Sequence, residues 1–264
     1  MIYERQIGVP KFACYELDKR QNDYVVLIPI INEGERIQKE LERAITYNVS
    51  SFADIVICDG GSTDGYTTEE KLKKWKVNTL LVKKDLGKQG AQLRMGMWWA
   101  LKRGYKGIIT IDGNNKDSIE DVPKFIEKLE MGYDFVQGSR FIQGGNAINT
   151  PLIRNISVRL IHAPIISLTA HHRFTDTTNA YRGYSRRYLE DKRVQPLRDI
   201  FMSYELLAYL SVRATQLGMN ACEVPVTRAY PKNGKTPTKI SFFKGNSELI
   251  KILLYNAFGR YNPK

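Results

Sequence analysis

The triplet Asp112-Gly113-Asn114 carries the clearest chemical signal in the sequence. It follows the apolar run 107–111, which is typical of a buried strand. A carboxylate and a second oxygen ligand two residues later, at a strand end, suit a divalent cation. Hard cations such as Mg²⁺ or Mn²⁺ prefer oxygen ligands and are often shared with substrate phosphates. Because Asp-Gly-Asn is also a common turn, the triplet alone leaves a metal site and a plain turn both open.

Two other loops place polar side chains directly after apolar runs. Asn32 and Glu33 follow the run 24–31, and Asp59 follows the run 54–58. Helical spacing of apolar residues separates the runs, and this alternation predicts a parallel sheet covered by helices. Because ligands bind outside the carboxyl ends of parallel strands, we expect the three loops to converge on one pocket.

The expected fold class is α/β, with a parallel sheet flanked by helices on both faces. Strands are predicted at 24–31, 54–58, 78–82, 107–111, 134–138 and 221–226, and helices at 90–103, 122–129, 202–217 and 241–258. Residues 151–170 read as helical segments broken near Pro164, and the Gly- and Asn-rich stretch 143–150 as a mobile surface loop. We expect a single domain over 1–264, with an N-terminal extension at 1–22 and a C-terminal amphipathic helix and tail at 240–264.

Composition narrows the classes of function. The net charge of +12 suits nucleic acid, an anionic membrane surface or phosphorylated substrates. No basic helix with base-reading spacing and no RNA-binding aromatic motif is present, so nucleic acid is disfavoured. Gly-x-Gly-x-x-Gly and P-loop motifs are absent after every predicted strand, which disfavours dinucleotide dehydrogenases and P-loop enzymes. No signal peptide or bilayer-spanning run is seen, and the cysteine spacing suits a reducing cytoplasm.

Taken in order, these loops resemble the family-2 glycosyltransferases of the Rossmann-like GT-A fold, and most nearly the dolichol- or polyprenyl-phosphate sugar synthases. The resemblance implies an α/β fold with a mixed, mostly parallel sheet flanked by helices on both faces. The similarity runs over residues 24–250. The matching segments are 28–33, 59–65, 87–90, 111–114, 138–141, 176–182 and 204–205. Each segment is weak alone, and their order and spacing together carry the resemblance.

The resemblance implies roles for particular positions. Asp112 and Asn114 would hold Mg²⁺ or Mn²⁺, although Asn114 stands where the family has a second Asp, so weaker metal binding is expected. Ile31 stands where the family often has Tyr. The residues implied in nucleotide binding are Pro29, Glu33, Asp59, Lys88, Gly113 and Arg182. The residues implied in acceptor binding are Arg140, Arg154 and Lys239. The catalytic candidates are Asp112, Glu205 and Asp176.

The implied reaction is attack on the anomeric carbon of a UDP- or GDP-linked sugar, with inversion. A hydroxyl acceptor needs a general base, whereas a phosphate acceptor is already ionised. Residues 201–205 lack an Asp at the family's usual place, which favours a lipid-phosphate acceptor. A sugar hydroxyl in polysaccharide or glycan assembly, with Glu205 or Asp176 as base, stays open. So do a sugar nucleotidyltransferase and a non-catalytic module derived from a transferase.

The C-terminal helix at 241–258 has a wide apolar face flanked by lysines. Such a face either packs on the catalytic domain or lies on an anionic membrane. The expected location is cytoplasmic, with peripheral contact to the inner face of the membrane.

Overall fold

The computed structural model describes residues 1–232 and 242–263, and the side chains of 242–246 lie outside the description. The candidate acceptor residue Lys239 therefore falls outside the described residues. The strands are β1 Ile2–Tyr3, β2 Phe12–Glu16, β3 Tyr24–Ile30, β4 Asp54–Asp59, β5 Thr79–Lys83, β6 Gly107–Thr110, β7 Phe135–Ser139, β8 Asn146–Ile148, β9 Arg182–Ser185, β10 Ala221–Pro225 and β11 Thr227–Ala229. The helices are α1 Glu35–Thr46, α2 Glu69–Lys74, α3 Gln89–Lys102, α4 Val122–Glu130, α5 Leu152–Ser157, α6 Ala163–Ala170, α7 Arg186–Glu190, α8 Glu205–Gln216 and α9 Phe242–Ala257.

The main sheet confirms the predicted mixed, mostly parallel architecture. Its strand order is β1-β2-β5-β4-β3-β6-β9-β7-β10. The central strands β5, β4, β3 and β6 are parallel neighbours, as are β7 and β10. β9 is antiparallel to both β6 and β7, and the edge pairs β1–β2 and β2–β5 are antiparallel too.

Apolar side chains cover both faces of the sheet. Along β3, Val25 and Leu27 belong to one core with α3, α6, α8 and α9. Val26 and Ile28 belong to a second core with α1, α2 and α4. Successive residues of a strand point to opposite faces, so a strand buried on both faces must be apolar throughout. This requirement explains why the central strands were visible as continuous apolar runs.

Five strands lie where the sequence predicted none, namely β1, β2, β8, β9 and β11. The N-terminal extension contributes β1 and β2, and β2 pairs with β5. β9 lies between β6 and β7, and its sequence Arg-Gly-Tyr-Ser lacks an apolar run. β8 falls inside the predicted surface loop 143–150, where it pairs with β11. Short strands of mixed polarity gain their pairing from neighbours in space, so local sequence carries little trace of them.

The helical region is continuous from Leu152 to Ala170, so the predicted break near Pro164 is wrong. A π-helical turn at Val158–His162 joins α5 to α6, and Pro164 lies in the first turn of α6. A proline inside a continuous helix removes one backbone hydrogen bond, and the π-helical turn that precedes Pro164 is the local irregularity at this place.

Helix α9 packs one part of its apolar face on the rest of the protein, and membrane contact by the remainder stays a prediction. Ile252 and Leu253 are buried, and Asn256 Nδ2 donates to the carbonyl of Ala208 at 2.8 Å. Leu254 and Phe258 are exposed. Within residues 1–232 and 242–263, no helix combines the length and apolar character that crossing a bilayer requires.

Candidate active site

The carboxyl ends of β4, β3 and β6 meet at one edge of the sheet, as the sequence predicted. β3 lies between the other two strands, with Ile30 opposite Asp59 and Leu27 opposite Thr110. The tip of β6 approaches β3 so closely that a Cβ on Gly113 would lie 2.4 Å from Ile30 Cγ2. Glycine is therefore required between Asp112 and Asn114.

The first turn of α3 ties these strand ends together. Gln92 Nε2 donates to the carbonyl oxygens of Ile30, at 2.6 Å, and Cys58, at 2.8 Å. Gln89 Nε2 donates to Asp112 Oδ1 at 2.9 Å. The two glutamine side chains thus bind the start of α3 to this edge of the sheet.

Asp59 and Glu33 lie in loops that are ordered by their own hydrogen bonds. Asp59 accepts from the backbone N–H groups of Gly61 and Ser62 and from the Ser62 hydroxyl, the last at 2.6 Å. Glu33 Oε2 accepts from Arg36 at 2.9 Å. Asn32 N donates to Ser62 Oγ at 2.9 Å, which joins the two loops. Asp59 is 2% exposed, so its carboxylate mainly orders the loop. A ligand could use only the hydrogen-bonding capacity that these loop contacts leave free.

Asp112 lies in a strongly cationic setting. Its Oδ2 accepts from Arg228 Nη2 at 3.3 Å. Burial alone favours the neutral carboxyl, but the charges of Arg228 and Lys116 outweigh it and hold the pKa of Asp112 below its ordinary value. The following loop is fixed by Glu40, whose Oε2 accepts from the N–H of Asn115 at 2.7 Å. Asp112 is therefore an ionised carboxylate at a rigid strand tip.

Arg228 links Asp112 to a second, fully buried carboxylate. Its Nη1 donates to Asp117 Oδ2 and, at 3.2 Å, to Asn179 Oδ1. Asp117 is completely buried, and burial raises its pKa in spite of the neighbouring guanidinium. The Arg228 guanidinium also lies 5.9 Å from the ring centre of Tyr230. One arginine thus connects the strand tip, the buried carboxylate and a buried phenol.

Asp112 and Asn114 suit a divalent ion that is completed by substrate oxygens. The described residues hold no cluster of three or more His, Cys, Asp or Glu side chains able to bind a metal. Asn114 Nδ2 donates to Asp112 Oδ2 at 3.4 Å and Asn114 Oδ1 accepts from the N–H of Lys116 at 3.3 Å, so the carboxylate and the amide are adjacent. Mg²⁺ typically takes one or two carboxylates plus substrate phosphates, so this oxygen set fits a shared ion and not a protein-only cage.

Arg140 and Asp176, predicted to bind acceptor and to act as a base, form a buried ion pair. Arg140 Nε and Nη2 donate to the two carboxylate oxygens at 2.6 and 2.8 Å, and the side chains are 1% and 0% exposed. Both Asp176 oxygens are thereby engaged, which leaves the carboxylate poorly placed as a base. The pair leaves Arg140 Nη1 buried without a hydrogen-bond partner among the described residues.

The remaining predicted residues divide into two groups. Arg182 is buried, and its guanidinium donates to the carbonyls of Asn179, Thr177 and Leu207, so it stabilises backbone. Pro29 is half-buried inside β3, opposite Cys58. The other three are Lys88, Glu205 and Arg154, which begin or flank helices around the site.

Lys88, Glu205 and Arg154 are the residues of that second group. Lys88 is exposed at the start of α3, and its N–H donates to the carbonyl of Met202. Glu205 begins α8 and accepts from the N–H of Ser203 at 2.6 Å. The segment 201–203 packs on α3 so tightly that a Cβ on Gly90 would lie 2.6 Å from the carbonyl oxygens of Phe201 and Ser203. The segment just before Glu205 therefore packs directly on the first turn of α3, which carries Gln89.

The sequence did not single out Lys116, Asp117, Arg228 and Tyr230. A signal existed for the first two, because Asn115-Lys116-Asp117 continues directly from the candidate metal triplet. Arg228 stands between a predicted strand and a predicted loop, and an arginine there reads as an exposed side chain. Only the pairing of β11 with β8 shows that it points inward.

We expect Tyr230 to titrate well below the ordinary pKa of a tyrosine. Burial raises its pKa, but the charges of Arg228 and Arg154 more than offset this and lower it to about 8. Arg154 Nη1 donates to the Tyr230 hydroxyl at 2.9 Å. A spectrophotometric titration of the metal-free protein should show phenolate forming near pH 8, and Tyr230→Phe should remove that step.

The same titration carries a stability effect of known sign. Because the folded-state pKa lies below the ordinary value of 10, phenolate formation stabilises the fold. The contribution is complete above pH 10 and is lost as the pH falls through about 8. A denaturation series should therefore show wild type gaining stability over Tyr230→Phe between these pH values. An identical pH dependence in the two proteins would contradict the assignment.

Comparison with known proteins identifies similar sequences and folds. The sequence profile of Glycosyl transferase family 2 matches residues 25–192. Polyprenol monophosphomannose synthase of Mycolicibacterium smegmatis is 25% identical over 89% of this chain and 88% of its own length. Undecaprenyl-phosphate mannosyltransferase of Micrococcus luteus is 28% identical over 77% of this chain and 82% of its own.

Among solved structures, glucosyl-3-phosphoglycerate synthase from Mycobacterium tuberculosis, in complex with Mn²⁺, UDP and phosphoglyceric acid, is similar. It is 16% identical, the match covers 92% of this chain and 78% of that one, and the TM-score is 0.59. This likeness confirms the predicted GT-A fold.

Proposed function

Because the chain belongs to glycosyl transferase family 2, we propose that it transfers a sugar from a nucleotide-sugar donor to the phosphate of a polyprenyl lipid, with inversion and with a divalent ion at Asp112. The single observation that carries this proposal is the cationic pocket around Asp112. It joins an ionised carboxylate to Arg228 and Lys116 at the sheet edge where ligands bind.

The donor's base and ribose are assigned to the loops after β3 and β4. Glu33 and Asp59 border this region, and the Asn32–Ser62 contact holds the loops in one arrangement. Backbone N–H groups and carboxylates at strand ends suit a base edge and ribose hydroxyls. The nucleotide itself, UDP or GDP, is left to experiment, although UDP is present in the mycobacterial structure of the same fold.

The donor's diphosphate is assigned to the tip of β6. Asp112 and Asn114 would hold the divalent ion, which as a Lewis acid offsets the charge that develops on the leaving nucleoside diphosphate. Arg228 and Lys116 add fixed positive charge at the same place. Both cations are buried, and preorganised charge acts most strongly where water is excluded.

The acceptor is assigned to the side of Arg140 and Arg154. Arg140 Nη1 is buried and has no hydrogen-bond partner among the described residues, so its N–H groups can donate to an acceptor phosphate. Arg154 donates to the Tyr230 hydroxyl in the same region. A phosphate oxygen attacks the anomeric carbon, the bond from that carbon to the diphosphate oxygen breaks, and the electron pair leaves with the nucleoside diphosphate. No proton has to be removed, which agrees with an Asp176 whose oxygens are both engaged by Arg140. The named activities of the M. smegmatis and M. luteus relatives support this acceptor class.

A labelled-sugar assay tests the proposal. The protein is incubated with UDP- and GDP-linked hexoses, Mn²⁺ or Mg²⁺, and polyprenyl phosphate. We expect label to enter the organic phase, nucleoside diphosphate to accumulate in equal amount, and EDTA to stop both. The anomeric configuration of the product, read by NMR, should be opposite to that of the donor.

The matched control acceptor is the corresponding polyprenol, which lacks the phosphate. We expect no transfer to it, because its hydroxyl would need a base. Equal transfer to polyprenol and to its phosphate would contradict an anionic acceptor and return Glu205 to the role of base. Release of inorganic diphosphate from a nucleoside triphosphate and a sugar phosphate would instead identify a nucleotidyltransferase.

A further inference from the structure

The continuous helix 152–170 presents an apolar surface to solvent. Its inner face is anchored in the protein by Val158, Ala163, Ile166 and Ala170, which are buried. Its outer face carries Leu152, Leu160 and Leu168, which are 73%, 71% and 76% exposed. Ile153, Ile156 and Ile161 are exposed beside them. A row of large apolar side chains on one exposed helix face marks an interaction surface, since isolated exposed leucines are common but contiguous patches are not.

The charged side chains of the helix and its flanking segments are of one sign. Residues 135–175 contain no Asp and no Glu, whereas Arg154 and Arg159 lie on the helix itself and Arg173 follows it. Arg159 and Arg173 are exposed. An apolar helix face with cationic flanks matches a membrane whose headgroups are anionic.

A second copy of the chain fits this face less well. A symmetric dimer brings the same patch of each copy together, so the arginines of one helix would lie opposite those of the other. Like charges across an interface oppose association. The charge pattern therefore selects a lipid surface over self-association.

The helix also connects directly to the candidate active site. Arg154 Nη1 donates to the Tyr230 hydroxyl at 2.9 Å, and Tyr230 stands two residues after Arg228, which contacts Asp112. The strand before the helix is held in the same way, because Tyr230 N donates to the carbonyl of Ile148 at 3.0 Å. A membrane in contact with the outer face would thus lie next to the cationic pocket.

We propose that the exposed face of helix 152–168 docks the protein on an anionic lipid surface and so presents the pocket to an acceptor held in that membrane. The docking is inferred from the exposed helix face alone, whereas its purpose rests on the proposed function. The surface is distinct from α9, to which the sequence alone assigned any membrane contact.

The test pairs two substitutions on the helix with two elsewhere. Leu160→Glu/Leu168→Glu changes exposed side chains, so the fold should persist, as circular dichroism will check. Ile7→Glu/Met131→Glu is the matched control, because both residues are exposed and lie outside the helix. Binding is measured by co-sedimentation with vesicles of phosphatidylcholine alone and of phosphatidylcholine with phosphatidylglycerol.

We expect wild type and control to bind the phosphatidylglycerol vesicles, and the helix variant to bind at least about tenfold more weakly, because buried apolar side chains supply much of interfacial affinity. Arg159→Gln should bind these vesicles about fivefold more weakly and neutral vesicles unchanged, since one cation near an anionic surface is worth about a factor of this size. Equal binding by wild type and the helix variant would overturn the proposal. So would a wild type that ignores vesicles but loses a dimer, seen by light scattering, in the helix variant.

Activity separates this proposal from the proposed function. With polyprenyl phosphate in vesicles, the helix variant should lose transfer in proportion to binding. With a short-chain, water-soluble isoprenyl phosphate it should match wild type. Loss of vesicle binding without any transfer by wild type to either acceptor would refute the proposed function and leave the docking surface in place.

Discussion

Replacing Asp112 by asparagine should lower kcat by about 10²- to 10³-fold, the range found when one preorganised electrostatic contact is removed from an active site. The amide keeps an oxygen that can accept from Gln89 Nε2, so the strand tip should hold its shape. The substitution removes the negative charge of a carboxyl group that neighbouring cations keep ionised. Turnover and Mn²⁺ binding, the latter followed by electron paramagnetic resonance, should fall together.

Glu35→Gln serves as the control for this variant. Glu35 begins α1 near the same edge, is exposed, and pairs only with Lys39 among the contacts described for its side chain. Its neutralisation should leave kcat and Mn²⁺ binding close to wild type. Near-normal turnover by Asp112→Asn, with an unchanged melting temperature, would remove the metal site from the proposal.

Replacing Arg228 by methionine should destabilise the fold by about 3–5 kcal/mol, because breaking a buried ion pair leaves an uncompensated buried charge. The charge left behind is that of Asp117, which is completely buried. Urea denaturation measures the loss. The double variant Arg228→Met/Asp117→Asn removes both charges and should recover most of the stability.

Activity in the double variant then isolates the role of Arg228 in the site. We expect kcat/KM to stay about 10²-fold or more below wild type, because the guanidinium beside Asp112 is gone although the fold is restored. Full activity would mean that Arg228 only balances Asp117. Arg187→Met is the matched control: Arg187 is an exposed partner of buried Asp134, which also accepts from Ser185 and Asn220, so the stability loss should be smaller.

Much of the architecture follows from the sequence, because the central strands are buried on both faces. A strand such as β3 must then be apolar along its whole length, and its end is marked by the polar residues that follow. The convergence of Glu33, Asp59 and Asp112 follows from parallel pairing alone. β9 escaped because a short antiparallel strand of mixed polarity has no such requirement.

The pairing of charges inside the site could not be read from the sequence in the same way. Arg140, Arg182 and Arg228 are all arginines in segments of ordinary composition. One holds Asp176, one holds backbone carbonyls, and one joins Asp112 to Asp117. Which carboxylate meets which guanidinium depends on side-chain reach across strands that are distant in sequence, and no local pattern encodes it.

The contact at Gly90 bears on how the enzyme moves. The backbone oxygens of residues 201 and 203 lie where a side chain at position 90 would begin. The start of α3 and the segment before α8 are therefore in direct backbone contact, with no side chain between them. A hinge needs room for its backbone to move, and the close packing at Gly90 leaves no such room. We expect this contact to superimpose in free and ligand-bound forms, so that any closure over the donor must come from another part of the rim.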